Sequence, residues 1–290
     1  MPRLGSWARA VAPRVTGQFK LIVTVLDAQQ HTVLDLPCFL RARYINLCLT
    51  TNTELRLPMP STGNFAFLNA LDLFNLRFGD GGASKGDLIS SSCPQLQYLR
   101  LFNVIGVTEL NIQSKQQMRL HLFVLQDLER LHVVAMKLLV FIVSCCYMRK
   151  GRKDPAGTEL TVIAPMLKDV TWEGFCPEEM RFDANKHLDM LSVCEFRPNM
   201  MWLSHHTNYA RIMEHFSHSD CLKLFLTFPV VSRVPTYMPF AFFFSTSTTA
   251  VHYLIYMFEC ISRGKIVLSR CSYFGCEEMG YSRKSAHIYS

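Results

Sequence analysis

The residues most able to do chemistry in this chain are few and poorly spaced for it. His205, His206, His215, His218 and Cys221 form the densest group of potential metal ligands, yet no pair of Cys-x-x-Cys units frames them. Cys271 and Cys276 stand apart without a matching His pair. A structural zinc needs four ligands at definite spacing, so solvent-facing histidines are the better account. The run Gly79 to Gly86 contains Ser84-Lys85-Gly86. A phosphate-cradling loop requires Gly-Lys followed by Ser or Thr at the opening of a helix. The order here is wrong, and a surface loop is expected. Neither a Gly-x-Ser-x-Gly elbow nor a His-Glu-x-x-His pair occurs. The sequence therefore points to no catalytic residue, no cofactor and no metal, and to a protein that is not an enzyme.

What remains is surface, and a repeat positions it. The signature Leu-x-x-Leu-x-Leu, with conservative swaps, places its third apolar residue at Leu73, Leu101, Leu122, Val143, Trp172 and Val193, at intervals of 28, 21, 21, 29 and 21 residues. A second copy ends at Ile112, Val133 and Val162, at intervals of 21 and 29. Both registers lengthen at the same place, so one insertion serves both. The basic stretch Arg149 to Gly157 is the expected site, because an exposed loop accommodates extra residues at little cost. In a repeat strand the residue between the last two apolar positions points outward and builds an extended face for a partner. Those residues are Asp72, Arg100, His121, Thr171 and Ser192, flanked by Gln97, Tyr98 and Asp189. An ordinary solvated face suits the same pattern. Trp172, at a repeat position, is expected in the core.

Composition narrows the class. About half of the 290 residues are apolar, enough for a substantial core, and the formal charge of +7 is mild for that length. No Lys/Arg stripe interleaves with aromatics, so nucleic acid is not an expected partner. The eleven cysteines are odd in number and several occupy apolar positions, for example Cys48 and Cys146. No secretory signal precedes them, so a reducing compartment, cytoplasmic or nuclear, fits best. Residues 1–26 carry Arg3, Arg9, Arg14 and Lys20 and no acid before Leu26, which also suits an organelle transit peptide, although a basic N-terminus is commoner. Leu138 to Cys146 is too short to span a bilayer, and Ser245 to Thr249 crowd the middle of the run Pro239 to Phe258, so membrane insertion is not expected.

Along the chain, short strands are expected at Ile45–Leu49, Leu55–Leu57, Leu71–Leu73 and each later repeat, with helices over Asp87–Ser92 and Asn208–Ser217. Each unit supplies one strand on one face and a second extended segment or helix on the other. The result is an α/β leucine-rich-repeat solenoid with irregular repeats of about 21–29 residues, over residues 36–228. A basic segment, 1–35, precedes it, and a poorly ordered tail, 229–290, follows.

Three stretches resemble the leucine-rich-repeat region of plant F-box proteins, particularly the set that often ends in an FBD-type domain. They are Leu36 to Ala42 leading into Tyr44 to Leu49 and Leu55 to Pro58, then Asp87 to Leu96, then Val162 to Trp172 with its Ala164-Pro165-x-Leu167 step. The resemblance covers roughly residues 30 to 228. It implies a substrate-recruiting subunit of an SCF-type ubiquitin ligase, with a protein substrate on the repeats and a Skp-type adaptor held by an F-box. The sequence departs from the family in three ways. No F-box opening of the form Leu-Pro-Asp-x-Leu precedes the repeats, so an adaptor is expected only if an F-box lies upstream. The ninth repeat position holds Leu76, Val104, Leu125, Phe175 and Phe196, with Cys146 alone conforming, so no asparagine ladder is expected. The residues after about Pro229 do not look like the family's C-terminal region. The alternative is a stand-alone repeat scaffold or paralogue fragment with no ligase link.

Overall fold

The structure, a computed structural model, describes residues 3–23, 31–58, 63–79, 85–125, 127–147, 157–174, 176–185, 187–194, 212–217, 219–226 and 266–270. Two compact units divide the chain: unit 1 is Met1–Lys168 with Phe175–Asn185, and unit 2 is Asp169–Gly174 with Lys186–Ser290.

Unit 1 opens with helix α1 (Arg3–Val11) and a 3-10 turn, Ala12–Arg14. Strands β1 (Gln18–Ile22), β3 (Tyr44–Cys48), β5 (Ala70–Phe78), β6 (Tyr98–Ile105), β8 (Arg119–Phe123) and β10 (Val140–Ser144) form its main sheet in that order, all parallel. Two short strands, β2 (Thr32–Asp35) and β4 (Thr53–Arg56), join through the far end of β5. A second, four-stranded parallel sheet runs β7 (Glu109–Ser114), β9 (Arg130–Ala135), β11 (Glu159–Ala164) and β13 (Glu179–Ala184). From β6 onward the chain alternates between the two sheets.

The strands form because apolar residues recur at every second position and end up stacked in register. Leu71, Leu99, Leu120 and Phe141 align across β5, β6, β8 and β10, as do Leu73, Leu101, Leu122 and Val143. All eight are 1% exposed or less. In the second sheet Leu110, Leu131 and Leu160 align, and beside them Ile112, Val133 and Val162. Burying one such side chain contributes about 1.5–3 kcal/mol. The ion pair Arg130–Glu109, 2.9 Å apart, is exposed and screened by solvent, so it contributes little beside these burials. Stacked leucines, not surface charge, hold unit 1 together.

Backbone bonds fix that stacking. Tight turns before β3, β5, β6 and β10 close through an amide to a carbonyl three residues back, Ala42 to Phe39, Leu68 to Phe65, Leu96 to Cys93 and Leu138 to Ala135. Before β8, Gln117 N donates to Ser114 Oγ instead. The next residue's carbonyl then receives two amides from the following unit. Gly17 O accepts from Arg43 and Tyr44, Arg43 O from Asn69 and Ala70, Asn69 O from Gln97 and Tyr98, Gln97 O from Met118 and Arg119, and Met118 O from Leu139 and Val140, all at 2.7–3.2 Å. Gln117 occupies the turn position held by Leu68, Leu96 and Leu138 before β5, β6 and β10. It is fully buried, and its Nε2 donates to Arg119 O at 2.5 Å and Gln97 O at 3.3 Å.

Four main strands carry a residue in the left-handed region, Asn75 (φ 52°) and Asn103 (φ 50°) within β5 and β6 and Val124 (φ 56°) and Cys145 (φ 53°) just after β8 and β10. Asn tolerates this conformation, and the two asparagines bond to each other, Asn103 Nδ2 donating to Asn75 Oδ1 at 2.9 Å. An asparagine pair is therefore present, one residue before the position where the family's ladder was sought. The leucines at that ninth position, Leu76 and Leu125, are buried core instead.

Among the described residues of unit 1, helix takes the place of a far-side strand between β5 and β6. Between β5 and β6 lies α2 (Lys85–Ser92), where later units place β7, β9, β11 and β13. Asp87 Oδ1 accepts from Asn111 Nδ2 at 2.8 Å and Ser90 Oγ accepts from Gln113 N at 3.2 Å, so α2 closes the edge of β7. This arrangement corrects the expected α/β leucine-rich-repeat solenoid. Strand outweighs helix, 48% against 12%, and the protein is an α/β fold dominated by parallel sheets. The segments opposite the main sheet are strands because Leu110 and Ile112, Leu131 and Val133, and Leu160 and Val162 repeat every second residue, a spacing that suits a pleat and no helix face.

Unit 2 holds four parallel strands in the order β12 (Asp169–Glu173), β14 (Met190–Cys194), β15 (Cys221–Leu226) and β16 (Ile266–Arg270). Trp172 is fully buried, as its repeat position predicts. A helical turn at 212–215 buries Ile212 and Met213 and is followed by buried Phe216, while residues 208–211 of the expected helix lie outside the described residues. The expected insertion loop lies outside them too for residues 149–156, and so does the tail 229–290 except for β16.

Val124 is β-branched, and holding such a residue in the left-handed region costs about 1–2 kcal/mol. Val124→Asn removes that cost and places an amide beside Asn103. Thermal or urea unfolding should show a gain of about 1 kcal/mol over the wild-type protein; an unchanged or lowered midpoint would mean that Val124 packing outweighs its strain.

Candidate functional site

The outward positions of the main sheet in unit 1 fall into three rows. The central row reads Lys20, Asn46, Asp72, Arg100, His121 and Ile142 across β1, β3, β5, β6, β8 and β10. Three of the five residues expected on a binding face, Asp72, Arg100 and His121, are thus immediate neighbours on adjacent strands. Thr171 and Ser192 are register partners on β12 and β14 of unit 2, followed by Lys223 on β15. Ser192 is buried, 4% exposed, and Thr171 is half-buried.

Asp72 is itself buried, at 6% exposure. Its carboxylate is tied down locally: Tyr44 donates its hydroxyl to Oδ2 at 2.7 Å and Asn46 donates Nδ2 to the same oxygen at 3.3 Å. Burial, and then the bond to Asp72, push the Tyr44 phenol up to about 12, so it stays a donor at every physiological pH. Asp72 is a buttress within the face more than a contact point.

Arg100 lies between aromatic rings, its guanidinium carbon 5.1 Å from the centre of Phe74 and 5.5 Å from that of Phe123. Such cation–π contacts contribute about 0.5–1 kcal/mol each at partly exposed sites and hold a long side chain in one place. Phe74, Phe102 and Phe123 themselves form a file in the next row, with ring centres 5.9 and 6.0 Å apart and interplanar angles of 37° and 41°. The three rings follow from a sequence signal that went unused: each stands directly after the last apolar residue of its signature, on the outward phase of the strand.

His121 completes the cluster. Its Nδ1 and the Tyr98 hydroxyl are hydrogen-bonded at 3.3 Å, and its ring meets Tyr98 and Phe123 edge-on, at 5.0 and 6.2 Å. Burial, followed by the positive charges of Arg100 and Arg119, holds its pKa down at about 4. The imidazole is neutral at pH 7, so the row's fixed charge comes from Lys20, Arg100 and Asp72.

Other groups singled out in the sequence do not assemble with this face. His215 packs edge-on against Phe216, ring centres 4.8 Å apart, in unit 2. His205, His206, His218, Cys271 and Cys276 lie outside the described residues, as do residues 80–84 of the Gly-rich run and the apolar run 239–258. Residues 138–146 are largely β10. Among the described residues no helix is long and apolar enough to cross a membrane. The outward side of the second sheet carries a shallow recess of about 240 Å³ bounded by Glu109, Asn111, Arg130, His132, Glu159 and Thr161.

A histidine whose folded pKa lies below its unfolded value stabilises the fold fully above about pH 6.5 and loses that contribution as pH falls toward 4, because the unfolded chain takes the proton first. The His121 ring should therefore titrate near 4 by NMR. His121→Gln should flatten the fall in stability between pH 6.5 and 4; a ring titrating near 6.5 would contradict the packing described.

With this geometry in hand, comparison with known proteins adds no family: no family model, no curated protein and no solved structure matches the chain.

Proposed function

We propose that the chain is a protein-recognition module, and that the outward face of the main sheet in unit 1 is where it holds its partner. The observation carrying this reading is the Asp72–Arg100–His121 row. Three polar residues from three strands are braced by Tyr44, Asn46, Tyr98 and a file of phenylalanines, giving a pre-organised surface with little side-chain entropy left to lose on binding. Aromatic residues and Arg are the types that dominate binding energy in protein interfaces. The role is recruitment, without catalysis of its own.

The resemblance of Leu36 to Pro58, Asp87 to Leu96 and Val162 to Trp172 to plant F-box proteins favours a more specific role. In it the chain acts as substrate receptor of an SCF-type ubiquitin ligase in the cytoplasm or nucleus, with a protein substrate on the face and a Skp-type adaptor held by an F-box upstream. Co-purification with a Skp-type adaptor tests the ligase role, using this chain and a version extended upstream. Binding by the extended version supports it, and failure of both leaves a scaffold without a ligase link. The face is tested separately by the double variant Arg100→Glu/His121→Glu. Substrates captured by the wild-type protein should be lost while unfolding remains cooperative; an unchanged partner set would remove the face from the proposal.

A further inference from the structure

Unit 1 divides its charge between its two sheets. On the outward face of the main sheet β1, β3, β5, β6, β8 and β10 carry the cations Lys20, Arg77, Arg100 and Arg119 against one carboxylate, Asp72, which is buried and bonded to Tyr44 and Asn46; the joined strands β2 and β4 add Asp35 and the ion pair Glu54–Arg56. Lys20 and Arg119 are exposed, and neither has an ion-pair partner among the described residues. The outward face of the second sheet has the reverse balance: Glu109, Glu159, Glu179 and Asp183 against Arg130 and Arg181. There the cations are already matched, Arg130 to Glu109 at 2.9 Å and Arg181 to Glu179 at 3.5 Å.

We propose that the main-sheet face binds an extended, acidic segment of a partner polypeptide that also carries apolar side chains. The inference rests on the recognition reading above and names the chemistry of its partner. Carboxylates of the segment meet Lys20 and Arg100 in the central row and Arg119 in the row beside it, and its apolar side chains lie along the file of Phe74, Phe102 and Phe123, which flanks the central row on the side opposite Arg119. Strands of the sheet lie about 4.8 Å apart and an extended chain advances about 6.6 Å for every second residue, so a segment crossing the strands obliquely presents successive side chains to successive strands. A single nucleic-acid strand is the competing ligand for a basic, aromatic surface. It stacks its bases on open ring faces, whereas these rings tilt against one another and flank Arg100.

Selection from a random-peptide display library on the full chain tests the inference, followed by affinity measurement with a synthetic copy of an enriched peptide. Enriched sequences should hold a clear excess of Asp and Glu over Lys and Arg. Their affinity should fall about tenfold in Lys20→Glu/Arg119→Glu, fall with added salt, and be unmoved by Arg181→Glu on the second sheet. Both main-sheet substitutions are at exposed positions, and circular dichroism confirms folding of each variant. Enrichment of neutral or basic peptides, or of none, overturns the proposal, as does tighter binding of a single-stranded thymidine oligonucleotide. Non-acidic peptides that weaken with Phe102→Ala would reject the acidic class and keep the face. Acidic peptides indifferent to Lys20 and Arg119 would reject the face itself.

Discussion

One carbonyl per unit sets the geometry of unit 1. Gly17, Arg43, Asn69, Gln97 and Met118 each receive two successive amides from the unit that follows. A carbonyl has two lone pairs, so this is a complete use of its capacity, and it leaves no freedom in where the next strand begins. Once the start is fixed, side chains of period two must fall on the same phase in every strand. A slip of one residue would turn Leu73, Leu101 and Leu122 outward together. The buried stacks, the outward rows and the aromatic file are all consequences of that starting point.

Much of this was legible in sequence, because the main strands write their register as paired apolar residues with a Leu three places before. The equal lengthening of both registers reappears as the pairing of Leu131 with Leu160 and of Val133 with Val162. The far side of each unit was legible only as an extended segment or a helix, without a choice between them. Segments such as Glu109–Ser114 are short, and their apolar pairs fit either an extended segment or the helix that usually accompanies a leucine-rich signature. Among the described residues of unit 1 Lys85–Ser92 takes the helical form, with Asp87 in its first turn and a run of serines at its end. β1 escaped notice because Phe19 and Leu21 alternate without the signature's leading Leu. Gln117 hid a turn position, since a buried amide that feeds two carbonyls looks polar and therefore exposed in sequence.

Site legibility followed the same division. The position between the last two signature residues identified Asp72, Arg100 and His121 as a set, and the register makes them adjacent. Their differing characters came only from packing. Asp72 is sunk below Tyr44 and Asn46, Arg100 is clamped between rings, and His121 is kept neutral by burial and two neighbouring guanidinium groups. No single-strand pattern reports these differences, because each depends on residues 21 to 28 positions away on a neighbouring strand.

The opposed charge of the two sheets of unit 1 has a kinetic meaning. Separated positive and negative faces amount to a dipole directed through the thickness of the unit, and a dipole experiences torque in the field of any charged body that comes near. A negatively charged neighbour would meet the main-sheet side more often than random tumbling allows, so productive encounters would be enriched before any contact forms. That bias acts over about a Debye length, about 8 Å at physiological salt, and fades as salt is raised.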